Sequence, residues 1–240
     1  MPSTWIANDV IENILQQTFI RTDIEFSKLF ETQVHTPEER LTGFFVEKLF
    51  KNSEKAQASI QSLLTVLDEP WYFTLQYRDM TGTEKHYGAD IAFLLRSSIP
   101  EKMRRQKVVF VQCKKMRARQ KGLPSLVFYP SWPIDRQQAE NLCDCTQFGY
   151  YFLYGPHSQG IMTRVIPARS VLGIMDATGR KTTIPSYQAI MSSRSFADFL
   201  FHDFVGCWAG DETDESLRIA YGQNEEFGVR YLVSIDLSRG

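Results

Sequence analysis

The chain is poor in the residues that build most small-molecule and metal chemistry. It has four cysteines in 240 residues, Cys113, Cys143, Cys145 and Cys207, and four histidines, His35, His86, His157 and His202. Cys143-x-Cys145 has no second pair, so a four-ligand zinc site is excluded, and the spacing is not that of a CxxC redox pair. There is no GxxxxGK[ST], which removes P-loop nucleotide hydrolysis, and the residues around Ser158 do not have the spacing of a nucleophile elbow. No apolar run approaches the ~20 residues that span a bilayer. The N-terminus, Met1-Pro2-Ser3-Thr4-Trp5-Ile6, lacks a basic segment followed by an apolar one, so a cytoplasmic protein with reduced thiols is expected. No repeat or low-complexity stretch is present. With 27 basic and 28 acidic residues the net charge is -1. That excludes a uniformly basic protein while leaving room for a local basic patch.

What is present is a globular composition, 43% hydrophobic and 13% aromatic, enough for one substantial core. Residues 8–33 carry apolar positions at loose helical spacing. Thr36-Pro37-Glu38-Glu39 reads as a helix start, with Thr36 as N-cap and Pro37 in the first helical position, leading a helix from about residue 37 to 51 and onward to about 67. Trp71 to Tyr77 is aromatic and branched, hence a strand, and Asp79 to Thr83 is a hairpin-turn candidate leading to a second strand at Tyr87 to Leu95. Val108-Val109-Phe110-Val111 is an unbroken apolar run, as in a strand covered on both faces. Residues 119–134 hold three prolines and read as a long loop that exposes Leu126, Val127, Phe128, Tyr129 and Trp132. A helix is expected at 135–147 with buried thiols, and strands at 150–154, 162–166 and near 170–174. A helix at 195–208 and a closing strand at 229–235 complete the reading. The acidic segment 210–226 reads as a solvated face. The expected class is α/β, a sandwich around a mixed central sheet.

Two strand ends stand out chemically. Asp90 interrupts an apolar strand, and Gln112 and Lys114 share one face just after the apolar run. A carboxylate, an amide and an ammonium at such positions lose hydration unless they meet partners. Gly88-Ala89-Asp90 followed some twenty residues later by Gln112-Cys113-Lys114, with a glutamate on the preceding helix, resembles the PD-(D/E)xK nuclease superfamily. The variant is the Mrr-like one with glutamine at the second acidic position, as in nuclease effector domains of bacterial anti-phage systems. The order helix, three strands, helix, strand fits that superfamily as well.

The resemblance covers about residues 36–156 and implies a restriction-endonuclease-like core. Residues 1–35 would be an N-terminal helical segment and 157–240 a C-terminal extension packed on the core. It implies that Asp90, Glu38 and the carbonyl of Cys113 hold Mg²⁺ or Mn²⁺, with Glu39 the competing helix carboxylate. Gln112 takes the substituted acid position, and Lys114 orients water and steadies phosphate charge. Gln138, or its neighbour Gln137, is implied as an accessory residue. The basic strip of Lys102, Arg104, Arg105, Lys115, Arg117, Arg119 and Lys121 is the expected nucleic-acid contact, made mostly to backbone.

The expected function is a metal-dependent DNA endonuclease in defence or restriction, gated by a sensor, an ATPase, another regulatory subunit or its own copies. An RNA-cleaving enzyme and an inactive scaffold with the same fold are the alternatives.

Overall fold

The computed structural model describes residues 5–6, 8–63, 70–80, 87–99, 103–120, 126–157, 160–206, 208–224 and 226–240. Two long helices come first, α1 (Asp9–Thr32) and α2 (Glu38–Ser62). Strands β1 (Trp71–Asp79), β2 (Tyr87–Ile99) and β3 (Met103–Lys115) follow, then the short β4 (Ala118–Gln120), β5 (Leu126–Phe128) and β6 (Ser131–Pro133). Next come α3 (Arg136–Cys145), β7 (Gly149–His157), β8 (Gly160–Pro167), α4 (Ala168–Thr178), β9 (Thr183–Pro185), α5 (Ser186–Met191) and β10 (Arg194–Ser195). The chain ends with α6 (Phe196–Asp198), which runs into a π-helical stretch at Phe199–Val205, then α7 (Asp214–Ala220) and β11 (Phe227–Arg239).

Seven strands form one mixed sheet in the order β1-β11-β2-β3-β7-β8-β10. The β2–β11 and β3–β7 pairs are parallel and the other pairs antiparallel. Residues beyond 157 therefore supply β8, β10 and β11 to the same sheet that holds β2 and β3. Helices cover both faces. Under α1, α2 and the 196–205 helix lie Phe26, Phe45, Phe93, Phe152 and Phe196. Under α3, α4 and α7 lie Phe110, Leu142, Tyr151, Val171 and Ile219. Val108 to Val111 are fully buried, as their unbroken apolar run requires. No helix among the described residues is long and apolar enough to cross a membrane.

Several expectations are corrected. β1 and β2 do not form a hairpin pair, because β11 lies between them, and residues 81–86 of the connection lie outside the described residues. The strand expected at 229–235 is present as β11, and it is an interior strand whose Val229, Val233, Ile235 and Leu237 are buried. The expected strand near 170–174 is part of α4. Its Val171, Ile174 and Met175 are spaced to face one core, and Gly179 ends the helix at φ 66°. Thr36 does not cap α2: the N-cap is Pro37, without a side-chain bond, and the Thr36 hydroxyl donates to Gln33 Oε1 at 2.8 Å. The expected 119–134 loop carries short strands: β5 pairs with β4 in a ribbon, and β6 pairs with the distant β9. Trp132 is buried and donates its indole N–H to the Tyr154 carbonyl at 3.2 Å, while Val127 and Tyr129 are exposed. Cys143 and Cys145 are half-buried rather than buried, and with Cys113 they are free thiols.

Candidate active site

The site begins where two strands part. The β2–β3 ladder ends at Ile91 opposite Val111, and the next facing residues would be Asp90 and Gln112. Beyond that point β3 continues alone beside β7 as far as Lys115 opposite Tyr154. Backbone N–H groups alternate sides along a strand. Those of Phe110 and Met116 go to Phe148 and Tyr154 on the β7 side. The N–H groups of Cys113 and Lys115 therefore face the opened side, where no strand accepts them.

Two carboxylates fill that gap. Asp90 Oδ2 accepts the Cys113 N–H at 2.7 Å and Gln112 Nε2 at 2.5 Å. Glu38 Oε2 accepts the Lys115 N–H at 2.8 Å, and its Oε1 lies 3.3 Å from Lys114 Nζ. Glu38 is the first residue of α2, where the helix dipole favours a carboxylate. Asp90, Gln112, Lys114 and Glu38, drawn from β2, β3 and α2, thus form two hydrogen-bonded pairs side by side at the open edge of β3. Glu39 is exposed, so of the two helix glutamates it is Glu38 that joins the group.

Burial pushes the Asp90 carboxyl up to about 7. The Cys113 hydrogen bond works against this, the Glu38 charge adds to it, and the Lys114 and Arg230 charges draw it down. Burial also pushes the Cys113 thiol up, where it accepts the Tyr154 hydroxyl at 3.0 Å. The role implied for Cys113 belongs to its backbone carbonyl and leaves the thiol free of chemistry.

The basic strip is divided by the length of β3. Arg105 and Lys114 are nine residues apart on one strand, about 30 Å, and Arg105 pairs loosely with Glu212 at 3.6 Å. Arg117 is exposed at the Lys114 end. Lys115 turns inward: its ammonium donates to the carbonyls of Val34 at 3.0 Å and Thr36 at 2.5 Å, and burial pushes its pKa down. It fastens the α1–α2 turn to β3 and so helps to place Glu38. Arg104 and Arg119 lie in β3 and β4, with side chains outside the description, and Lys102 and Lys121 lie outside the described residues.

Gln138 lines a cleft with Gly88, Asp135, Gln137, Asn141, Leu142 and Phe227. Gly88 precedes Asp90 by two residues, so this cleft adjoins the site. Gln137 donates to Asn141 Oδ1 at 3.0 Å, and the backbone N–H groups of Gln137 and Gln138 are capped by Asp135. The reading from sequence missed Arg230, which β11 carries to the side of Asp90. Its signal, Gly228-Val229-Arg230 echoing Gly88-Ala89-Asp90, acquires meaning only once the two strands are known to pair.

The donor set fits a hard cation of modest charge demand. Among the described residues no three His, Cys, Asp or Glu side chains gather as a metal cluster. A cation here would rest on Asp90 and Glu38, the Cys113 carbonyl and the Gln112 amide oxygen, which Gln112 leaves available by donating through Nε2. Two carboxylates with neutral oxygens suit Mg²⁺ or Mn²⁺, which keep several waters, better than Zn²⁺ with its nitrogen and sulfur ligands. A carboxyl held near 7 beside a second carboxylate is also the electrostatic condition that a cation relieves. No protein-family model matches the chain, and no curated protein matches it.

Proposed function

We propose that the chain is a metal-dependent nuclease that hydrolyses phosphodiester bonds in DNA. The observation that carries this is the meeting of Asp90, Gln112, Lys114 and Glu38 where the β2–β3 ladder opens, as two hydrogen-bonded pairs, Asp90 with Gln112 and Glu38 with Lys114, close enough for their charges to act on one another. Mg²⁺ or Mn²⁺, when held by Asp90, Glu38 and the Cys113 carbonyl, supplies Lewis-acid polarisation of the phosphate and eases ionisation of the attacking water. Glu38 fixes the position of the Lys114 ammonium. That ammonium steadies the negative charge that builds on the non-bridging oxygens. Water attacks phosphorus in line with the departing oxygen, the P–O bond opposite breaks, and the leaving oxygen takes a proton. Gln112 carries no charge, so it orients Asp90 without adding to the repulsion between carboxylates. Gating by a sensor, an ATPase or self-assembly belongs to the same proposal.

A second reading draws on the same geometry. Asp90 and Glu38 accept the N–H groups of an open strand edge, a role they fill in a non-catalytic subunit as well. Purified protein, plasmid DNA and Mg²⁺ or Mn²⁺, at low and moderate salt, separate the two readings. The nuclease predicts cleavage that is lost with EDTA, with Asp90→Ala and with Lys114→Ala. Cleavage that persists in both variants places the chemistry elsewhere. A wild type inert alone and with its co-purifying partners supports the scaffold.

A further inference from the structure

The last strand of the chain brings a second charged residue to the level of Asp90. β11 runs parallel to β2 with Gly228 beside Gly88, Val229 beside Ala89 and Tyr231 beside Ile91. Asp90 and Arg230 hence occupy the same level of two neighbouring strands, which lie about 4.8 Å apart. The strands are pressed together two residues earlier: a Cβ on Gly88 would meet the Gly228 carbonyl oxygen at 2.7 Å. Gly88-Ala89-Asp90 and Gly228-Val229-Arg230 run side by side, one ending in an acid and the other in a base.

Both strands turn at this level. Ala89 and Val229 pack into the core beneath α3 and α7, whereas Ile91 and Tyr231 pack towards the core beneath α2. In a regular strand, residues two apart face the same side, so the residue between them is where each strand kinks. Arg230 is held there by its backbone, its carbonyl accepting the Met80 N–H at 2.7 Å, and it is only half-buried. Its charge acts on the Asp90 carboxyl, so the guanidinium shares the site's electrostatic surroundings.

The charge balance gives this cation a purpose. With both carboxylates ionised, Asp90, Glu38 and Lys114 sum to one negative charge, and the Lys114 ammonium is already paired with Glu38. A divalent metal in the site would bring that sum to one positive charge, engaged with the scissile phosphate, so a neighbouring backbone phosphate still needs a cation of its own. A guanidinium binds phosphate through two parallel N–H···O bonds and keeps its charge at every working pH. We propose that Arg230 is a phosphate-binding residue of this site, contacting the nucleic-acid backbone beside the phosphate that Lys114 attends. This rests on the nuclease reading and extends it. The site then needs the strand after residue 226, and residues 36–156 do not complete it.

The test uses the full chain in a Lys114→Ala background, so that DNA stays uncut, with Mg²⁺ and a short duplex titrated across a range of salt. Each phosphate contact adds about 0.9 to the slope of log affinity against log salt. Arg230→Gln is expected to weaken binding about tenfold at low salt and to flatten the slope by about one, while Arg230→Lys keeps the slope. A Gln variant with the parental slope, altered only in melting temperature, overturns the proposal and makes Arg230 a structural counter-ion of Asp90. Should Arg230→Gln fail to fold, Arg230→Met takes its place under the same reading: a slope lowered by about one supports the contact and the parental slope overturns it. A parent that binds no duplex at any salt brings down the nuclease reading and this proposal together. A parent that binds while the slope ignores Arg230 brings down this proposal alone.

Discussion

Asp90 and Asp23 are both carboxylates drawn out of water, and burial raises both above their ordinary range, to about 7 and about 6. Each accepts a backbone N–H from a strand of the central sheet: Asp90 that of Cys113 at 2.7 Å, Asp23 that of Thr163 at 2.9 Å. The structural device is the same, a side-chain oxygen standing in for a missing strand partner. Their company differs. Asp23 projects from α1 onto β8, is 8% exposed, and has Arg164 as the charge that draws it down. Asp90 lies at an opening with Glu38, Gln112, Lys114 and Arg230 around it. A raised carboxyl pKa therefore does not identify a reaction centre; the proposal rests instead on the convergence of a second carboxylate, an amide and two cations at an open strand edge.

The largest difference between the two acids is expected in cleavage. Asp90→Asn should lower DNA cleavage by at least about 10³-fold, as loss of a metal-holding carboxylate does, while Asp23→Asn should stay within about twofold of wild type. Plasmid nicking rates at fixed metal compare them directly.

The next difference is in the pH dependence of stability. The folded Asp23 carboxyl binds its proton more tightly than the unfolded one. Stability is therefore highest below about pH 4 and falls as pH rises to about 6, above which the whole cost of the buried charge is present. Asn keeps an oxygen for the Thr163 N–H and carries no charge. Asp23→Asn should thus match wild type near pH 3.5 and exceed it at pH 7.5, by up to about 3 kcal/mol. Urea unfolding at the two pH values measures this.

A smaller effect is expected at Lys115, which touches the site through the α1–α2 turn. Lys115→Met leaves the Val34 and Thr36 carbonyls without their charged donor, at a cost of about 1–2 kcal/mol. It should lower cleavage several-fold by loosening Glu38, without changing the salt dependence of DNA binding. A lowered salt slope would return Lys115 to the nucleic-acid surface.

The parts of this arrangement that lie within one element could be read from the residues themselves. Asp90 breaks an apolar strand, Gln112 and Lys114 alternate after another, and Glu38 opens a helix. Local periodicity reports each of these. The pairing of β11 with β2 could not be read, because it joins residues about 140 apart in sequence, and a tail strand carries no mark of its neighbours. That is why β1 and β2 looked like a hairpin and why Arg230 went unnoticed. The 170–174 segment misled through its branched Val171 and Ile174, which favour a strand locally and are overruled by packing beneath α4. The basic strip flanks both ends of β3, and strand length sets its spread: Arg105 and Lys114 lie nine residues apart, about 30 Å.

The measurement that bears most directly on the open strand edge as a reaction centre is Mn²⁺ binding, followed by calorimetry on wild type, Asp90→Asn and Asp23→Asn at pH 7.5. Wild type and Asp23→Asn should bind one ion alike, and Asp90→Asn should bind at least about tenfold more weakly. Equal binding by all three proteins, or none by wild type, would contradict the assignment of Asp90 as the acid that holds the metal.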